Sequence, residues 1–179
     1  IAARASLREV AAHSDVIVTM LPNGRVVREV AFADDGLLAG WARGGLLLDT
    51  SSAEPWITRE TAARLAEGGI AMVDAPVSGA AWGAQAAELV FMVGGAPDDV
   101  ARARPLLDAM GRAVFHLGAL GAGHTMKCLN NLITAVTLTA TAEGLAIGTR
   151  AGLDPAVMTD VLNEATGGPW ITRTPIPQR

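Results

Sequence analysis

Four short apolar runs recur along the first part of the chain, each closed by turn residues. They are Asp15-Val-Ile-Val-Thr-Met-Leu21 before Pro22-Asn23-Gly24, Leu46-Leu47-Leu48-Asp49 before Ser51-Ser52, Ile70 to Asp74 before Pro76, and Glu88 to Val93 before Gly94-Gly95. Runs that are continuous rather than alternating suit strands covered on both faces, as in a parallel sheet. Helical stretches separate them. These run from Arg25 to Phe32, from Pro55 to about Glu67 with Gly68-Gly69 as its stop, and from Pro97 to Met110. Ser51 and Ser52 are expected to cap the second of these helices, with Pro55 in its first turn. A last short strand is expected over Ala113 to His116. This alternation of strand and helix predicts an α/β doubly wound sheet.

From Gly121 the pattern changes. One helix of about thirty residues, roughly 45 Å at 1.5 Å per residue, is expected to reach Arg150. Gly152 closes it, and Asp154-Pro155 starts another helix to about Glu164. Two domains follow: a sheet domain over 1–118, and over 119–179 the long helix with the start of an all-helical domain. The segment Cys128 to Gly148 has nearly the length of a membrane span. It also carries Asn130, Asn131, Glu143 and several threonines, a heavy polar load for lipid. It is therefore read as a buried helix of a soluble protein, with no membrane partner.

With half the residues apolar and 18% charged, the chain can bury a sizeable core, which excludes charge-rich disorder. A net charge of −4 argues against a nucleic-acid partner, whose footprint is a basic patch. The single cysteine, Cys128, cannot form an internal disulfide, and it favours a cytoplasmic setting; it is expected in the core. The chain begins at Ile1 without a signal-like run and ends in a Pro-rich polar tail. Neither glycine-rich phosphate motif, GxGxxG or GxxxxGK[ST], is present. His13, His116 and His124 lack metal-type spacing, so no metal site is expected. Trp41, Trp56, Trp82 and Trp170 read as packing.

Of the 14 basic residues, 13 are arginine, and Lys127 is the one lysine. Unlike arginine, lysine can release its proton at working pH when its site lowers its pKa. Lys127 and Asn131 are four apart on the long helix and share a face, with His124 one turn earlier. A cation beside an amide near a glycine-rich helix start can polarise a carbonyl oxygen. Ser78 and Gly79 follow the strand ending at Asp74, where ligands of open α/β sheets bind; a hydroxyl and glycine N–H groups there suit a small carboxylate. Ser51 and Ser52 end another strand in the same kind of place.

Together, the blocks DVIVTMLP (Asp15–Pro22), DTSS (Asp49–Ser52), DAPVSG (Asp74–Gly79) and GAGHTMKCLNN (Gly121–Asn131) resemble the β-hydroxyacid dehydrogenases, the group of 3-hydroxyisobutyrate dehydrogenase and tartronate semialdehyde reductase. The resemblance covers most of residues 2–165. It implies a partial Rossmann-type sheet and a reversible NAD- or NADP-linked oxidation of a small 3-hydroxy acid to its semialdehyde or ketone. It also implies Lys127 as general acid/base. Asn131, Ser78, Gly79 and Ser52 would hold substrate, with Met20, Leu21, Pro22 and Ser52 beside the cofactor. A homodimer or homotetramer is implied as well. The family's opening strand and GxGxxG turn are absent from these residues, as is the rest of its helical domain, so the chain reads as the middle of a dehydrogenase. Where the family has a glycine after Ser-Gly, this chain has Ala80. Two other readings are a catalytically silent assembly domain and an imine reductase; Lys127 argues against both.

Overall fold

The computed structural model describes residues 3–168. In chain order the elements are α1 (Leu7–Ala12), β1 (Val16–Thr19), α2 (Gly24–Phe32), α3 (Leu37–Gly40), β2 (Leu46–Asp49), α4 (Pro55–Glu67), β3 (Ala71–Asp74), β4 (Val77–Ser78), α5 (Ala80–Gln85), β5 (Leu89–Gly94), α6 (Pro97–Met110), β6 (Gly111–Gly118), α7 (Ala122–Arg150) and α8 (Pro155–Glu164). Contacts divide the chain into two compact units, one ending at Cys128 and one starting at Leu129.

In the first unit β1, β2 and β3 are parallel neighbours, with Ile17, Leu47 and Met72 in one row of the register. Successive side chains point to opposite faces, so the apolar runs feed two cores. Ile17, Leu47 and Met72 pack with Ala11, Val27, Ala31, Leu37 and Leu65. Leu46, Leu48 and Val73 pack with Phe91, Val93, Ala103 and Leu107. Leu46, Leu47 and Leu48 are all fully buried, as a strand covered on both faces requires.

The doubly wound sheet is present, but it is mixed rather than all parallel. The short connection after β3 contains β4 and α5, and β5 returns antiparallel to both β3 and β4. A short return is sterically open to antiparallel strands, whereas parallel pairing needs a long crossover. β6 then pairs parallel to β5 after the α6 crossover. It is longer than the expected Ala113–His116, and Phe115 and Leu117 on it are exposed.

Helix ends follow the expected chemistry in most places. Asn23 caps α2 through the Val26 amide (3.1 Å), and Asp154 caps α8 through the Ala156 amide (2.7 Å). Ser51 and Ser52 do not cap α4. Its N-cap is Glu54, with no side-chain cap bond, because the chain takes two further residues to leave β2 before turning.

In the second unit, α7 and α8 flank an apolar groove of about 500 Å³ lined by residues such as Leu145, Leu153, Val157 and Met158. The expectation of a buried long helix is corrected. Among the described residues α8 covers it only near Leu145 and Gly148, and Leu129, Leu132, Ile133, Val136 and Ile147 are exposed. By length and composition alone α7 could cross a membrane. Cys128 is exposed rather than core, since it lies on the uncovered side of the same helix. Of the tryptophans, Trp41 packs and donates to the Ser14 carbonyl (2.9 Å), whereas Trp56 and Trp82 sit exposed in the first turns of α4 and α5. Trp170 lies outside the described residues.

Candidate active site

Strands that end in aspartate must place that carboxylate somewhere, and both Asp49 and Asp74 are buried. Asp49 Oδ1 accepts from the Thr19 hydroxyl (2.9 Å) and the Ser51 amide (3.1 Å). Asp74 accepts at both oxygens from the start of α7, from the Gly121 amide and the His124 amide, each at 2.7 Å. A carboxylate at a helix N-terminus meets unpaired N–H groups and the positive end of the helix dipole. Burial raises the Asp74 pKa, and the two amide bonds and His124 pull against it.

The glycines of Gly121-Ala-Gly123 make this approach possible. Gly121 has φ +88, and a Cβ at Gly123 would overlap the Met92 carbonyl and the Asp74 carboxylate. The helix start is thereby seated directly on β3 and β5. Lys127 follows within the next turn of α7. It is half-buried, and desolvation lowers its pKa from the ordinary lysine value, which favours the neutral amine. Asn131 lies four residues further along the same helix, beyond the boundary between the two units.

At the carboxyl ends of β1 and β2, the Leu21 amide donates to Ser51 Oγ (2.9 Å), and the Thr50 hydroxyl donates to the Thr19 carbonyl (2.7 Å). These bonds tie the Met20–Pro22 turn to Ser51, next to Ser52. Met20, Pro22 and Ser52 are exposed. Ser78 and Gly79 sit in a separate cleft of about 210 Å³ with Trp82, Gly83, Glu88, Val90 and Arg112; Lys127 and Ser52 are not among its lining residues. Gly79 has φ +132 and Ala80 φ +52, so the residue that stands where the family has glycine occupies the left-handed region.

The sequence puts His124 one turn before Lys127 on the helix face they share with Asn131. In the structure His124 is fully buried, because the glycine-rich start presses the first turn of α7 into the sheet. Its ring meets Thr58 Oγ1 at 2.8 Å and the Ser51 carbonyl at 3.0 Å. The signal available in advance was two apolar runs each ending in aspartate, since a buried carboxylate needs partners. For Asp74, what supplies those partners is a contact between segments about fifty residues apart.

The parallel part of the sheet gathers polar groups at its carboxyl ends, where open α/β sheets bind ligands, and a desolvated lysine lies on α7. A family model described as the NAD binding domain of 6-phosphogluconate dehydrogenase matches residues 1–118, and one described as NAD-binding of NADP-dependent 3-hydroxyisobutyrate dehydrogenase matches residues 121–179. The chain belongs to the β-hydroxyacid dehydrogenase family, whose cofactor is NAD or NADP. It is 45% identical to 3-hydroxyisobutyrate dehydrogenase of Pseudomonas aeruginosa over 157 residues, 88% of this chain and 53% of that protein. It is 43% identical to NAD-dependent L-serine dehydrogenase of the same organism, over 92% of this chain and 55% of that protein. A solved structure of Mycobacterium tuberculosis 3-hydroxyisobutyrate dehydrogenase with L-serine superposes with a TM-score of 0.87 at 39% identity, covering 97% of this chain and 60% of that one. The chain spans about half the length of the curated relatives it matches.

The residues present fit one end of such a cofactor. Glu54 Oε2 is buried without a hydrogen-bond partner among the described residues, and it lies against Gly24 at the start of α2. The exposed turn Met20–Pro22 and Ser52 border the same strand ends.

Proposed function

We propose that the full-length protein interconverts a small 3-hydroxy acid and its semialdehyde or ketone, using NAD or NADP. The observation that carries this reading is Lys127, the one lysine of the chain, held half-buried on α7 with a lowered pKa. When bound, the cofactor supplies the hydride acceptor or donor. Lys127 handles the proton. As the neutral amine its Nζ takes the proton of the substrate hydroxyl during oxidation, and as the ammonium it returns that proton to the carbonyl oxygen during reduction. Asn131, Ser78, Gly79 and Ser52 hold the substrate; Met20, Leu21, Pro22 and Ser52 border the cofactor. The resemblance to proteins named for 3-hydroxyisobutyrate and L-serine supports a small hydroxy acid as substrate.

Lys127→Ala in the full-length protein is expected to lower kcat by about 10²–10⁴-fold, the usual range for a general acid or base, with cofactor binding retained. Turnover within a factor of a few of wild type would sink the assignment. The pH dependence has a definite sign. The oxidation rate rises as pH passes the Lys127 pKa, at a value below that of ordinary lysine, while the reduction rate falls across the same range.

The exposed apolar positions of α7 (Leu132, Ile133 and Val136) support a homodimer or homotetramer built through this helix. They also support a second reading, a catalytically silent assembly domain, which failure of the full-length protein to bind nicotinamide cofactor would favour. The lone cysteine and the polar residues of α7 support a cytoplasmic setting.

A further inference from the structure

The imidazole of His124 is fully buried, and it is the side chain that joins α7 to the connection between β2 and α4. Nε2 faces the Ser51 carbonyl at 3.0 Å and Asp49 Oδ2 at 3.8 Å, both of them acceptors, so Nε2 carries a proton. Nδ1 faces the Thr58 hydroxyl at 2.8 Å, with Asp74 Oδ2 at 3.7 Å. Thr58 Oγ1 also lies 3.2 Å from the Glu54 carbonyl.

Followed outward, these bonds reach both halves of the candidate site. Ser51, which accepts from His124 through its carbonyl, accepts from the Leu21 amide through its hydroxyl. The backbone of His124 is clamped to Asp74, and Lys127 is three residues further on. Asp74 fixes the helix start to β3 through the Gly121 and His124 amides, and the link onward to Ser51 and Thr58 is made by the His124 ring.

We propose that His124 is a positioning residue, a strut that sets the Leu21 turn and the start of the Lys127 helix in one fixed relation. This rests on the reading of Lys127 given above. An apolar residue of similar size could fill the space but would leave the buried Ser51 carbonyl without its donor. The choice of histidine is thereby explained by what it joins rather than by volume.

The test measures amide hydrogen exchange at Leu21 and Ser51 in the full-length protein, with Val93 in β5 as the internal control. In His124→Phe the two amides exchange at least about 10-fold faster, the equivalent of one lost buried hydrogen bond, while Val93 is unchanged. His124→Gln, whose side-chain N–H can still donate to Ser51, stays within about 3-fold of wild type. Unchanged exchange at Leu21 in folded His124→Phe overturns the strut. If His124→Phe does not fold, Thr58→Val removes the Nδ1 partner while keeping the shape. Its Leu21 amide is expected to exchange about 3-fold faster, and no change there overturns the proposal equally.

Kinetics then separates positioning from plain stability. In His124→Phe, kcat falls about 10–100-fold with the hydroxy-acid KM within about 3-fold, and His124→Gln restores it. A wild-type kcat in His124→Phe overturns the positioning role. Should Lys127→Ala keep its turnover, the Lys127 reading fails by itself, and exchange still decides whether the strut exists.

Discussion

The two units of the chain treat similar residues in opposite ways. In the first, Leu46, Leu47 and Leu48 are fully buried, and even polar Ser51, Asp74 and His124 are sealed from solvent with hydrogen-bond partners. In the second, Leu132, Ile133 and Ile147 are 60%, 63% and 67% exposed. A run of leucines and a stripe of leucine and isoleucine carry similar transfer energy per side chain. The difference is whether another element covers them, and the sheet brings its own cover while a single helix does not.

Truncation of a side chain in each unit tests this contrast directly. Leu48→Ala should cost about 2–5 kcal/mol, the loss expected for a fully buried leucine, read from denaturant unfolding of the full-length protein. Leu132→Ala should cost below about 0.5 kcal/mol in single-chain stability. If α7 packs subunits as proposed, its effect shows as a dependence on protein concentration. Equal losses at any concentration would erase the contrast.

Asp74→Asn probes the polar side of the sealed unit. Its amide NH₂ would face one of the two N–H groups that the carboxylate now accepts, so a loss of about 2–3 kcal/mol is expected. Burial raises the Asp74 pKa in the folded protein. Its contribution is therefore fully present below the ordinary carboxylate range and falls as pH rises through the raised value. The advantage of wild type over Asp74→Asn should narrow as pH rises; a widening gap would mean that the amide bonds outweigh burial. The smallest effect is a gain. Ala80→Gly should stabilise by about 1 kcal/mol by relieving the left-handed backbone at φ +52. No gain would mean that the flexibility added to the unfolded chain offsets the relief.

Much of the sheet unit was legible from local pattern. Continuous apolar runs marked β1, β2, β3 and β5, and Gly68-Gly69 and Asp154-Pro155 marked helix ends, because these signals act within a few residues of where they are written. Lys127 stood out by composition alone. The antiparallel return of β5, the small elements α3, β4 and α5, and the exposure of α7, Cys128 and Trp56 were not legible. Each depends on which distant segment arrives alongside, and a one-dimensional pattern carries no such information.

The same division runs through the site. The sequence by itself determined which residue types end each strand and begin the long helix: Asp49, Asp74, Ser51, Ser78 and the glycines before His124. Only the tertiary structure decided that His124 is buried against Ser51 and Thr58, and that Ser51 receives the Leu21 amide instead of capping α4. Buried polar groups must find partners wherever the packed fold brings them, and here the partners lie thirty to seventy-three residues away along the chain.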